Sequence, residues 1–443
     1  MGRTVLCVAS LAVFCLALNA QSYEDLFREA GESSARRDYD GAIVKFKAAL
    51  KLRPGAPEAM SNLGVMYHLA GRYRDAVETM ERVVESSPDL FPARLVLGLD
   101  LVRLDRTGEA VPHLEAARKL APGSHEAALG LAAAYVGENR LQQAADIYET
   151  ESRSASSDAE SWYGLGLCYE RMAEAASRRL SRATGGAVLD KRFLSEFLLD
   201  RGEVRLAEET MREAAALEVQ QPSVEAKQAY EDARRLAVRS RDAFSRLVEA
   251  APDAWQSKLF LADLSRQQRS FPAAIANYKA AERALPKSPG PKLGLATVYW
   301  ELGQFEESEK YLRAVLELNP KSPQALFQLG NIRVRQHREE EAIPLLTAFL
   351  AMEPDSLSAC ADLGRAYFHV RRDQEAVMYL EKARPIDQQG DIHYQLATVL
   401  KRLGRTSEAV ESLRISKLVR QREMDRQQRL RGVVGPDSPS FQK

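Results

Sequence analysis

The chain has 443 residues, 28% of them charged and 45% hydrophobic, with 62 Lys+Arg against 62 Asp+Glu. So much apolar side chain excludes an intrinsically disordered protein, and zero net charge lacks the basic excess of a dedicated nucleic-acid binder. The six histidines are scattered without metal-ligand spacing and no phosphate-cradling glycine loop occurs, so no metal, cofactor or catalytic constellation is offered and an enzyme is not expected.

In chain order, the N-terminus reads as an export signal. Arg3 precedes an apolar run from Val5 to Leu18, about 14 residues, which is a signal-peptide length and short for a bilayer span. Leu18-Asn19-Ala20 supplies a small residue for cleavage, so residues 1–20 are expected to be removed and the mature chain to start at Gln21; an uncleaved anchor is the alternative. Downstream of this segment only Cys168 and Cys360 remain, in distant stretches, and no internal disulfide is expected. An export signal without disulfides fits a periplasmic or secreted protein held together by packing, with no membrane span in the mature chain.

Residues 21–158 repeat themselves. Ala42, Ala76, Ala110 and Ala144 are 34 residues apart, each followed four residues later by a large side chain: Phe46, Met80, Leu114 and Tyr148. Pro54, Pro88 and Pro122 keep the same step, and Leu63-Gly64 recurs as Leu97-Gly98 and Leu131-Ala132. Each unit reads as two helices meeting where small residues permit close approach, with a break such as Ala70-Gly71-Arg72 between them.

The stretch 159–254 is less regular. Ser161 to Tyr169 begins like a first helix, but no turn follows, and the helix is expected to continue to a break at Gly185-Gly186. Residues 188–217 read as one degenerate repeat, and Val224 to Ala250, free of Gly and Pro, as one long helix. Two arrangements fit: one array whose turn is twice replaced by a long helix, or a linker between two arrays. The register resumes over 255–416, where Leu261-Ala262, Leu295-Ala296, Leu329-Gly330 and Leu363-Gly364 are again 34 apart. Lys417 to Arg431 continues as a polar capping helix, and the Gly/Pro/Ser-rich end from Gly432 to Lys443 is expected to be a disordered tail.

This pattern resembles the tetratricopeptide repeat family, with regular units at 23–56, 57–90, 91–124, 125–158, 255–288, 289–322, 323–356 and 357–389 and a last one from Gly390 to about Gln421. The resemblance implies an all-α, right-handed superhelical solenoid of antiparallel helix pairs, here of an exported bacterial type, and a non-enzymatic scaffold for protein–protein interaction. Such a fold holds a partner's peptide or helix in a concave groove lined by the first helices. An assembly or chaperone-type factor for envelope or pilus machinery is the alternative reading.

By position in the repeat, the groove would include Ser61, His68, Leu95, Leu99, Leu129, Val136, Tyr163 and Leu167 in the N-terminal half. In the C-terminal half it would include Arg266, Trp300, Phe327, Asn331, Arg365, Phe368, Tyr394 and Lys401. The second set mixes aromatics with cations and an amide, the residue types of binding hot spots, and is the candidate partner site. Removing Trp300 with Arg365 is expected to abolish binding at little cost in stability. Asn62 and Asn331 are isolated echoes of the family's carboxylate-binding set; the matching lysines are absent, and that function is not carried over. The partner's identity and the oligomeric state are not legible.

Overall fold

A computed structural model describes residues 22–154, 158–200, 204–217 and 221–433. The expected signal segment and the tail beyond Val433 lie outside the described residues. Among the described residues every regular element is helical, in antiparallel pairs with short connections, and no helix is long and apolar enough to cross a membrane. The chain divides after Ser257 into two compact units.

Each regular pair is built alike. First helices such as Pro57–Leu69 and Pro323–Arg335 open on proline, whose missing N–H costs nothing there and whose φ suits a first turn. Others open on Ser124 or Ser356, whose hydroxyls accept the N–H of Ala127 and Ala359. First helices end by the same device: one residue turns left-handed, at Arg37, Gly71, Asp105 and Asn139, then at Arg269, Gly303, His337, Arg371 and Gly404. The next N–H then caps a carbonyl one turn back, as Arg72 does to Tyr67 at 2.8 Å and Arg338 to Arg333 at 2.9 Å.

The two helices of a pair touch at a small residue, glycine in several pairs and alanine, such as Ala132 or Ala296, in others. A Cβ on Gly64 would lie 2.7 Å from Met80 Cε, and one on Gly330 would lie 2.7 Å from Leu346 Cγ. Met80 and Leu346 are wholly buried, each contributing about 1.5–3 kcal/mol by burial. The alanines of the 34-residue step, Ala42, Ala76, Ala110, Ala144, Ala274, Ala342 and Ala376, are all fully buried.

The irregular middle is a pair of long helices, Ala159–Arg182 and Val224–Ala250, packed along each other within the first unit. Ser240 Oγ donates to Gly166 O at 3.0 Å, and the Phe244 ring fills the space a side chain at Gly166 would need. Ser240 and Phe244 stand 34 residues before Ala274 and Tyr278, so this second helix carries the ordinary register of a repeat. Between the long helices sits a hairpin, Gly186–Asp200 and Val204–Ala216. The middle is therefore one repeat split by an inserted hairpin, instead of an array whose turns are replaced by long helices. At the hairpin's neck Ser223 N–H donates to Thr184 O at 3.1 Å. Cys168 and Cys360 are both buried free thiols, and burial pushes the Cys168 thiol up to about 12.

The last helix runs unbroken from Thr406 to Val433, joining the second helix of the final repeat to the capping segment. Gly432 and Val433, assigned to the tail on composition, close this helix.

Candidate functional site

From Trp255 onward the first helices Trp255–Gln267, Pro289–Glu301, Pro323–Arg335, Leu357–His369 and Asp391–Arg402 come one per repeat, and polar bonds cross from one to the next. Arg266 Nη1 donates to Glu301 at 2.7 Å. Burial works against the Arg266 charge, and its bonds to Glu301 and the Tyr278 hydroxyl more than restore it, so the guanidinium sits above its ordinary range. The Tyr278 hydroxyl also donates to Asp263, whose carboxyl burial pushes above the usual aspartate range.

One repeat on, Trp300 Nε1–H donates to Asn331 Oδ1 at 3.2 Å, and Arg335 Nε donates to the same oxygen at 2.9 Å. Asn331 Nδ2 donates to Asp362 Oδ2 at 2.6 Å. Asp362 is buried, which raises its carboxyl above the usual range, the Asn331 amide working the other way. Arg365 approaches Asp362 at 3.8 Å and keeps 40% of its side chain exposed. Gln328 donates to Thr297 at 3.0 Å beside this chain of bonds, with its own carbonyl oxygen buried and, among the described residues, without a partner.

The candidate set thus divides. Trp300, Asn331 and Arg365 share one network through Asp362, whereas Arg266 pairs separately with Glu301. Phe327 is half-buried, its ring 5.1 Å from Phe349, and Phe368 lies under the Arg402 guanidinium at 4.8 Å. Tyr394 is 47% exposed beneath Arg420, and Lys401 is exposed with no carboxylate in ion-pair reach among the described residues. Because Trp300 is half-buried and hydrogen-bonded to the next repeat, its removal costs stability as well as surface, which corrects the expectation that it could be taken out cheaply.

Reasoning from repeat position missed two groups. Arg333 occupies the place of Tyr67, Tyr135 and Tyr367 and is 1% exposed. It reaches Glu309 on the preceding repeat at 2.8 Å through Nη1, and Glu341 at 3.0 Å and Gln336 at 2.8 Å on its own. The Arg333 hydrogen bonds hold the Glu309 carboxyl down to about 2. The second group is the charge sorting. First helices 323–335, 357–369 and 391–402 carry Arg333, Arg335, Arg365, Lys401 and Arg402 against Asp362 and Asp391 alone, while the charged residues of second helices 339–352 and 373–383 are all acidic except Lys382. Both signals were present in the sequence, the first as a break in a tyrosine column and the second as a helix-by-helix count.

The first unit offers a different face. Val65, Leu99, Val102 and Val136 pack into its core, and Leu95 and Leu129 are buried. A buried polar link between its first helices is His68 Nδ1 at 2.6 Å from Asp100 Oδ1, with Asp100 wholly buried. Tyr163 packs against Trp255 at 5.7 Å. Among the described residues no group of three or more His, Cys, Asp or Glu is placed to hold a metal ion.

Several solved structures of low identity align with this chain. MamA from Desulfovibrio magneticus RS-1 is 20% identical, covering 38% of this chain and 95% of its own, at a TM-score of 0.35. YrrB, described as a TPR protein with an unusual peptide-binding site, is 17% identical over 41% of this chain and 94% of its own, at 0.37. A chain of the APC/C hetero-tetramer Cut9-Hcn1 is 15% identical over 93% of this chain and 96% of its own, at 0.35. One tetratricopeptide repeat family model matches residues 34–95, 101–168, 265–329 and 333–398, and a second matches 228–289 across the second long helix. With most of its length matched and its helix pairs built to that repeat, the chain belongs to the tetratricopeptide repeat family.

Proposed function

We propose that the protein is a non-enzymatic interaction scaffold that takes a segment of a partner protein against the first-helix face of repeats 255–416. One observation carries this reading: that face presents half-exposed aromatic and cationic side chains, Phe327, Arg365, Phe368, Tyr394 and Lys401, on helices whose backs are fully packed. Large rings beside hydrogen-bond donors supply both affinity and orientation. The network through Asn331 and Asp362 holds neighbouring first helices in register, so the surface is preorganised.

The apolar run from Val5 to Leu18 supports export and a mature chain beginning at Gln21, working in the periplasm or outside the cell. That location is also what supports the narrower reading as an assembly or chaperone-type factor for envelope or pilus machinery. The test is affinity capture from an envelope extract with the mature chain and with Arg365→Ala/Tyr394→Ala, two exposed positions. Loss of the captured partner with an unchanged melting curve is expected. Undiminished capture by the double variant would place the site elsewhere.

A further inference from the structure

The geometry points to an acidic segment as the partner of the first-helix face of repeats 323–416, a conclusion that rests on the groove reading above and gives its ligand a chemistry. Three cations stand on successive first helices with N–H donors to spare. Arg335 bonds to the Asn331 amide and lies 5.8 Å over the Trp300 ring, with no carboxylate in ion-pair reach among the described residues. Arg365 meets Asp362 only at 3.8 Å, beyond hydrogen-bond distance. Lys401 is exposed and has no ion-pair partner among the described residues.

The carboxylates that could quench them are committed or on the far side. Asp362 is buried and holds Asn331, and Asp391 takes Arg420 at 3.0 Å. The acids of 339–352 and 373–383 lie on second helices, where Glu341 is engaged by Arg338 and Arg333, Glu375 by Arg372, and Asp373 by Arg402. Over 323–402 the first helices are thus net positive and the two second helices between them net negative, whereas the last second helix, Thr406–Val433, carries Arg414, Lys417, Arg420 and Arg422. A ligand with carboxylates gains on the first helices of 323–402 and is repelled by second helices 339–352 and 373–383. The Arg335 guanidinium over Trp300 also suits a carboxylate flanked by apolar side chains.

Packed helices lie roughly 8–10 Å apart, so cations on successive first helices are met by carboxylates at about that spacing. A polyproline-type segment provides it every third residue, at about 3.1 Å per residue.

The experiment pans a phage-displayed random dodecapeptide library on the full mature chain and measures the enriched peptides by fluorescence polarisation. Each is titrated against wild type, against the neutral triple variant Arg335→Gln/Arg365→Gln/Lys401→Gln, and against the apolar variant Phe327→Ser/Phe368→Ser. Circular dichroism melts confirm that both variants fold. Enriched peptides are expected to carry an excess of Asp and Glu, and to lose about tenfold or more in affinity on the neutral triple variant and again between 50 and 500 mM NaCl, roughly as screening of such pairs predicts. Neutral or basic peptides that bind the neutral triple as well as wild type, yet fail on the apolar variant, would overturn the acidic ligand and leave the groove standing. Peptides indifferent to both variants, or no enrichment at all, would overturn the groove as well.

Discussion

The two units run the same packing scheme with different glue between their first helices. In the first, Val65, Leu99, Val102 and Val136 make neighbouring repeats adhere by area, with His68–Asp100 as a polar link. In the second, the corresponding layer is bonded through Thr297–Gln328, Trp300–Asn331–Asp362 and Arg266–Glu301. Apolar contacts are tolerant of small shifts, whereas directional bonds fix angle and register and keep polar groups near the surface. The difference teaches that the repeat pattern alone does not decide which face of an array is sticky. That is settled by side chains the pattern leaves free.

The largest expected effect breaks the contrast at its deepest point. Arg333→Ala removes the cation that two repeats share, empties a buried site and leaves Glu309 with Arg313 alone, at a cost near the low end of about 3–5 kcal/mol in urea unfolding. Leu101→Ala at the equivalent place of the first unit costs a comparable cavity term, about 2–5 kcal/mol. Only the Arg333 loss should vary with pH; equal pH dependence in the two variants would erase the distinction between the units.

The same pair sharpens the comparison from the acid side. A carboxyl whose folded pKa lies near 2, below its ordinary 4.5, adds stability that is complete above pH 4.5 and disappears as pH falls toward 2. The advantage of wild type over Glu309→Gln should therefore shrink across that window, from at most about 3 kcal/mol before solvent screening is discounted. A gap that stayed constant down to about pH 2.5 would remove Arg333–Glu309 from the list of stabilising contacts.

The smallest effect has the opposite sign. Burial raises the Asp362 pKa, so its charge is a penalty that grows as pH rises through and above the ordinary aspartate range. Asp362→Asn keeps an acceptor for Asn331 and drops the charge, and thermal melts at pH 7 should show stability equal to wild type or higher by about 1 kcal/mol or less. A clear fall in the melting temperature would mean that the Arg365 and Arg335 fields outweigh the burial.

The helix pairs were legible because a 34-residue step imposes the same small-against-large contact each time: Gly64 on Met80 is Gly330 on Leu346 again. What sequence reading could not place was set by chain separation and by pairing. Gly166 and Ser240 are far apart along the chain, so the inserted hairpin hid a repeat whose second helix was in plain register with Ala274. The candidate site was half legible. Repeat position picked out the first-helix face, but which of its polar groups were already engaged depended on Asp362, whose role as a hub is invisible until Asn331 is seen to reach it. Arg333 escaped because a buried arginine is intelligible only with Glu309 beside it.

The neck of that hairpin has a practical corollary. The chain leaves the first long helix at Ala183 and returns at Ser223, where the backbone of Ser223 is bonded to Thr184. The insertion therefore begins and ends at one point on the stack, like a side branch on a stem. It also folds back on that stem, Leu189 clustering with Leu180, Ala226 and Ala229 and Glu196 accepting from the Tyr230 hydroxyl at 2.7 Å, so cutting the branch would uncover this patch while leaving the Gly166–Ser240 contact of the long helices in place.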